Sequence, residues 1–322
     1  MYKTYDCWPD IALDCYNLKH KSIKIAKLNH IVFCGMGGSG AIGDIFSSIL
    51  SKTNIHVSIV KGYLIPNTIN ENSLVVVISI SGNTVETLTC LNLARKKNCR
   101  IIAISSGGKM EEYCKKYNID FRKIIQNHSP RASFSGFLYY LLRILENILP
   151  ITKEEINESI QELQKTRKKI GSTNLIDSNP SLEIAKWITG IPLIYYPVGL
   201  NAAAIRFKNS LQENSKIHVM TEDIIEACHN GIVSWEKPST VQAILLRGVD
   251  DYEKTKERWE IVKEYFEENH IDYKEIISVK GNILSKLVNL IYVLDYASIY
   301  HSVLSQIDPT PIKSINFIKK RL

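Results

Sequence analysis

The chain has 322 residues, 45% of them hydrophobic and 23% charged, a balance that argues against disorder and suits two globular domains of about 150 residues each. Its formal net charge is +7, but the lysines are interspersed with glutamates, as in Thr255–Asn269. With no basic stripe carrying aromatics, nucleic acid is not expected as a partner, and an anionic small molecule stays open.

After a helical opening, the first half alternates short apolar runs with amphipathic stretches. Strands are expected at 30–36, 56–62, 73–81, 100–106 and 121–125, and helices from Ala41 to Leu50, Val85 to Lys97, Met110 to Tyr117 and Ala132 to Leu149. Continuous apolar strands separated by helices predict a doubly wound parallel α/β sheet for a first domain, residues 1–150. A strongly charged helix, Thr152–Ile170, follows Pro150; with few large apolar residues it reads as a connector, or as a helix packed along one domain. The second domain, 151–322, repeats the layout with strands at 191–199, 215–221, 240–250 and 273–281 and helices over 201–212, 252–269 and 284–304. The runs at 193–211 and 239–255 can be laid on 31–50 and 73–88 at a similar offset, which predicts a degenerate internal duplication.

Seven cysteines, at 7, 15, 34, 90, 99, 114 and 228, form no C-x-x-C pair and lack an accompanying histidine spacing. They argue against a structural zinc site and for reduced thiols in a cytoplasmic protein. The polar N-terminus and the lack of an apolar run of about 18 residues predict neither a secretory leader nor a membrane span.

Gly35-Met36-Gly37-Gly38-Ser39-Gly40 matches G-x-G-x-x-G directly after the first strand. In a dinucleotide fold an acidic residue about 20 positions on would take the ribose hydroxyls. Here the second strand ends in Lys61, which removes the NAD requirement and leaves only an NADP-type oxidoreductase open. The third strand instead ends in Ser79, Ser81 and Thr84 at a helix start. Three hydroxyls beside free backbone N–H groups suit the oxygens of a terminal phosphate monoester, although a serine or threonine cap has the same appearance. Two such loops at neighbouring strand ends point to one anionic ligand at the sheet's C-terminal edge.

"GMGGSG", "SISGNTVET" and "SPRAS" resemble the motifs of the sugar isomerase (SIS) superfamily. "RFKNSLQENSK", the later "HN" and the closing "DPTPI…IKKRL" are similar to the bifunctional phosphoglucose/phosphomannose isomerase family known mainly from archaea. The resemblance runs from residue 35 to the C-terminus. It implies two flavodoxin-like SIS domains and an enzyme without metal or other cofactor that interconverts glucose 6-phosphate, and mannose 6-phosphate, with fructose 6-phosphate through an enediol. It also implies Glu213 as the base, His229 as the ring-opening residue donated across a homodimer, and Arg131 as the cation offsetting enediolate charge. Lys319 would reach the sugar from the tail, with Lys320 the neighbouring alternative. Thr310 would make room for a water, Gly37, Gly38 and Ser39 would approach the sugar, and Ser79, Ser81 and Thr84 would hold the phosphate. Ser210 and Gln212 depart from the family pattern beside Glu213. The alternatives are an isomerase of another sugar phosphate and a non-catalytic SIS-type sugar-phosphate sensor. No membrane or nucleic-acid partner is implied.

Overall fold

The computed structural model of the chain describes residues 1–321. It divides into two units, one of residues 3–160 with the segment from Phe317 onward, the other of residues 161–316. The division therefore falls at 160/161, within a helix.

The first unit opens with α1 (Tyr2–Asp6) and α2 (Trp8–Asn17). It continues as β1 (His30–Cys34), α3 (Gly38–Leu50), β2 (His56–Val60), β3 (Ser73–Ile78), α4 (Val85–Lys96), β4 (Arg100–Ser105), α5 (Gly108–Tyr117), β5 (Asp120–Lys123) and α6 (Phe134–Leu145). All neighbouring strands are parallel, in the order β2-β1-β3-β4-β5. β1 and β3 are buried along their whole length, as runs covered on both faces must be. Val32, Cys34, Val75 and Val77 meet Cys90, Leu91 and Met110 of α4 and α5 on one face. On the other, Phe33 stacks on Phe46 of α3 with ring centroids 5.1 Å apart.

The long charged helix, α7 (Lys153–Ile170), starts in a reciprocal cap: Glu155 N–H donates to Thr152 Oγ1 at 3.1 Å, and Thr152 N–H to the Glu155 carboxylate at 2.8 Å. It is no bare connector. Ile156, Ile160, Leu163 and Ile170 are buried on one narrow stripe. Its first half bonds Tyr139 of the first unit through Ser159 at 2.7 Å, and its second half bonds Asn289 of the second unit through Thr166 at 2.9 Å.

The second unit contains α8 (Pro180–Trp187), β6 (Ile191–Tyr196), α9 (Asn201–Ser210), β7 (Met220–Asp223), α10 (Ile224–Ala227), β8 (Val241–Arg247), α11 (Glu253–Glu268), β9 (Tyr273–Ile277) and α12 (Ile283–Leu304), followed by α13 (Lys313–Lys319). Its sheet is parallel with the order β7-β6-β8-β9, the first sheet's order without a fifth strand. Two doubly wound sheets of matching topology are the expected α/β architecture, and they fit the proposed duplication. Tyr195, Ala243 and Leu245 pack on Trp235, Trp259 and Phe266 on one face. α12, packed against α8 and α9, fills the other.

Two local expectations need correction. α8, not read from the sequence, begins with Asn179 accepting from the N–H groups of Ser181 and Leu182 and with Pro180 in its first turn. The strand expected at 215–221 begins only at Met220, because the helical path continues beyond α9 as a π-type turn, Leu211–Ser215, and stops at Lys216 with φ 60°. α12, at 22 residues, is long and apolar enough by length and composition to cross a membrane, but Lys286, Asn289 and Asp295 interrupt its apolar run and 83% of its most apolar window is buried, as in a core helix. All seven cysteines are free thiols.

Candidate active site

In the first unit the chemistry-bearing residues gather at the C-terminal edge of the sheet. Gly37 caps α3 with φ 54° and ψ −122°, a conformation that a side chain would strain. A Cβ on Gly40 would lie 2.8 Å from Gly35 O and 3.1 Å from Lys61 Cε. The glycine pattern is thus required by the close approach of strand, helix and neighbouring strand. Gly37 is exposed, Gly38 half-buried and Ser39 buried at the helix start. Lys61 donates to both oxygens of the buried Asp44 at 2.9 and 2.7 Å. Burial raises the Asp44 carboxyl and Lys61 draws it back. This ammonium already has its counter-charge, which disfavours it as the partner of an NADP 2′-phosphate.

The β3–α4 loop places Ser79 Oγ where it donates to Thr84 Oγ1 at 3.1 Å and accepts the Gly82 N–H at 3.1 Å. Ser81 Oγ accepts the Asn83 N–H at 3.3 Å. Thr84 is the N-cap residue of α4, yet its hydroxyl makes no capping bond. The cap explanation for that hydroxyl therefore fails, and the N–H groups of the first turn keep their capacity for an anion. Ser79 and Thr84 are thus in direct contact, with Ser81 in the same loop bonded to Asn83.

A third loop was missed. Ser105 Oγ bonds Gly107 O at 2.8 Å, Ser106 Oγ donates to Ile80 O at 2.7 Å, and Met110 N–H donates to Gly82 O at 2.9 Å. This β4–α5 loop braces the hydroxyl loop from behind. The adjacent Ser105-Ser106-Gly107-Gly108 at a strand end was the signal available in the sequence. Arg131, buried at 4% exposure, lies in the turn before α6, since that helix begins at Phe134 and not at Ala132.

In the second unit Glu213 sits half-buried in the π-type turn after α9, with Gln212 exposed and Asn214 and Ser215 buried. The ammonium of Lys216 bonds the Glu213 carbonyl and reaches Pro309 O at 3.4 Å. The Glu213 and Thr310 segments are thereby brought together. Thr310 is exposed, and its N–H donates to Asp308 at 2.8 Å, which holds that carboxyl below its usual range. His229 is exposed and follows α10, whose first turn is capped by Asp223 through the N–H groups of Ile225 and Glu226. Lys319 is exposed in the last turn of α13, a helix with no buried residue. Among the described residues no group of three or more histidine, cysteine or acidic side chains is arranged to hold a metal ion.

Residues 177–322 match the family model described as the bacterial phospho-glucose isomerase C-terminal SIS domain, and residues 24–145 match that of the SIS domain. The chain is similar to the bifunctional phosphoglucose/phosphomannose isomerase of Caldicellulosiruptor bescii, 29% identical over 94% of this chain and 91% of that relative. It is equally similar to the Aquifex aeolicus protein of the same name, 29% identical over 98% of this chain and 94% of the relative. Among solved structures, the C-terminal domain of glucosamine-fructose-6-phosphate aminotransferase from Francisella tularensis superposes with a TM-score of 0.71 at 17% identity, covering 95% and 96% of the two chains. That likeness is one of fold.

Proposed function

We propose that the chain, built from two SIS-type domains and similar along almost its whole length to bifunctional phosphoglucose/phosphomannose isomerases, interconverts glucose 6-phosphate, and mannose 6-phosphate, with fructose 6-phosphate. The observation that carries this reading is the division of labour within one chain. One duplicated sheet presents a hydroxyl cradle suited to a phosphate, and the other presents a half-buried carboxylate on a specialised helical turn.

In the proposed reaction Ser79, Ser81 and Thr84, with the N–H groups opening α4, hold the terminal phosphate. Gly37 and Gly38 let the backbone approach the sugar, and Ser39 hydrogen-bonds it. His229 passes the proton that opens the ring, a task suited to a group titrating near neutrality. Glu213 then takes the proton from the carbon next to the carbonyl and returns it to the adjacent carbon. Arg131 and Lys319 offset the enediolate charge that develops between the two transfers. Thr310, small and exposed, leaves room for a water, so that rotation in the enediol exposes either face to reprotonation and both C2 epimers react. No nicotinamide or metal takes part in these steps.

The exposure of His229 supports its donation to a second copy in a homodimer. The seven free thiols support a cytoplasmic setting. The test is isomerisation of both aldose phosphates by chelator-treated protein without nicotinamide, beside Glu213→Gln. The parent is expected to turn over both, and the variant to lose about 10²–10⁴-fold in kcat with KM little changed. A parent that binds fructose 6-phosphate without converting it would instead be a sugar-phosphate sensor.

A further inference from the structure

Ser210 and the residues that follow Glu213 belong to one buried network on α9 and α12. Arg206 and Asp295 are 2% and 0% exposed, with Arg206 Nη2 2.7 Å from Asp295 Oδ2 and Nε 3.2 and 3.1 Å from the two carboxylate oxygens. Ser210 Oγ donates to Asp295 Oδ1 at 2.5 Å. Ser298 Oγ, about one helical turn further along α12, donates to Asp295 O at 2.6 Å and accepts from Asn214 Nδ2 at 2.9 Å. The Ser298 carbonyl accepts from Ser215 Oγ at 3.0 Å. The side chains just before, within and at the end of the π-type turn are thus tied to two residues of one neighbouring helix.

Stability alone gives no reason for this arrangement. A buried ion pair can often be replaced by well-packed apolar residues with no loss of stability, and a π-type turn is rare and poorly bonded compared with a continued α-helix. Such a turn persists where its surroundings over-determine it. Here Asn214 and Ser215 are both buried and bonded to Ser298, while Glu213, between the exposed Gln212 and the buried Asn214, is half-buried.

We propose that Asp295 and Ser298 are positioning residues for Glu213, fixing the π-type turn so that its carboxylate is held in one orientation for proton transfer. Asp295 acts through Ser210 at the entry to the turn. Ser298 acts through Asn214 and Ser215 at its exit. The inference rests on the reading of Glu213 as the base. It also gives Ser210, a departure from the family pattern, a partner in this chain.

The test compares Ser298→Ala, Ser298→Thr and the double replacement Arg206→Met with Asp295→Leu, beside the parent and Glu213→Gln. Each is measured for kcat, KM and melting temperature, and for amide exchange over 211–216. Ser298→Ala should lose about 10- to 100-fold in kcat, the scale set by small misplacements of a catalytic group, with KM within about twofold. Exchange should quicken over 211–216 and not elsewhere, and Ser298→Thr, which keeps the hydroxyl, should recover kcat. The double replacement, which keeps a neutral core, should show the same kcat loss and settles the matter if Ser298→Ala does not fold. An unchanged kcat in an active parent, or an active Glu213→Gln, overturns the positioning role. A parent that is no isomerase refutes the proposed function instead, and exchange over 211–216 then decides by itself whether α12 holds the turn.

Discussion

Gly82→Ala should damage the first unit far more than any other single-methyl change in its loops. Gly82 has φ +71°, and a Cβ there would sit 1.7 Å from the carbonyl oxygen of Gly107 and 2.8 Å from its carbon, where ordinary contact begins at 3.4 Å. The obstacle is backbone, so no rotamer relieves it. Gly107 cannot easily yield either, because Ser105 Oγ bonds both its N–H at 3.1 Å and its carbonyl at 2.8 Å. The left-handed backbone costs about 1–2 kcal/mol for a residue with a side chain. Prising two braced loops apart adds about 1–3 kcal/mol of overpacking, and one or two lost hydrogen bonds add about 1 kcal/mol each. A total of about 3–7 kcal/mol is a large part of a domain's stability, and at ~2–4 °C per kcal/mol it lowers the melting temperature by on the order of 10 °C. Two controls separate the causes. Gly37→Ala, at φ +54° with nothing within 4 Å, carries backbone strain only; Gly62→Ala, with neither feature, should be near neutral. Thermal unfolding should rank Gly82→Ala well below Gly37→Ala and that below Gly62→Ala, with KM for fructose 6-phosphate raised in the first because Ser79, Ser81 and Thr84 share its turn. If Gly82→Ala melted with Gly62→Ala, the bracing of the hydroxyl loop by the β4–α5 loop would be refuted.

Thr84→Val removes a hydroxyl that caps nothing, so the helix should keep its stability while KM for the sugar phosphates rises about 10-fold or more, the value of one hydrogen bond to a charged group; equal KM values would exclude Thr84 from the phosphate cradle. Burial holds His301 below its usual range, a backbone bond to Ile188 opposes that, and Nδ1 has no hydrogen-bond partner. The unfolded chain therefore takes up this proton first as pH falls below about 6.5, so His301 contributes stability above that value which is lost as pH drops through its depressed folded pKa. His301→Gln should flatten this part of the decline in urea midpoints between pH 7.5 and pH 5, and parallel declines in parent and variant would remove His301 as its source. If His229 reaches the site of a second copy, mixing unfolded Glu213→Gln and His229→Ala chains and refolding them should restore up to about a quarter of parental activity, since half the dimers are mixed and one of their two sites is intact; no recovery would keep His229 within its own subunit or out of the reaction.

The parallel sheets were legible because strands covered on both faces need a continuous apolar run, and Ile31–Cys34 of β1, Leu74–Ile78 of β3 and Ala243–Leu246 of β8 supply one, buried in each case. The position of the hydroxyl loop was legible because Ser79, Ser81 and Thr84 stand where an apolar strand gives way to a helix, but the sequence alone could not tell a ligand cradle from a helix cap. Other features were hidden by distance. Nothing between Ser210 and Lys216 marks a π-type turn, since the partners that define it, Asp295 and Ser298, lie more than 80 positions away. The charge of α7 left open whether it is a connector or a packed helix, and its spacing decides for packing. Ile156, Ile160 and Leu163 fall at i, i+4 and i+7, and that stripe suffices to seat a helix whose other faces are wet. The start of α8 was written in Asn179-Pro180, a cap followed by a first-turn proline, and needed no structure to be seen.

The two sheets share a topology but differ in the loops at their matching strand ends. β8 stands in the second sheet where β3 stands in the first, and the loops beyond them have opposite electrostatic content. After β3 come hydroxyls and a helix start whose N–H groups no side chain caps. After β8, Asp251 turns its own carboxylate inward, accepting the Gly248 N–H at 3.0 Å and the Trp259 indole N–H at 3.1 Å, while the neighbouring Asp250 pairs with Lys286 at 3.0 Å. The Asp251 carboxylate thus occupies the Gly248 N–H and the Trp259 indole N–H, donors that the loop after β3 leaves to hydroxyls and open backbone groups. The second unit also departs from the first elsewhere, in the extension of α9 past the point matching the end of α3 into a turn clamped by α12. That turn carries the one acidic side chain between Leu211 and Ser215, and a carboxylate held there can move a proton without competing for the phosphate.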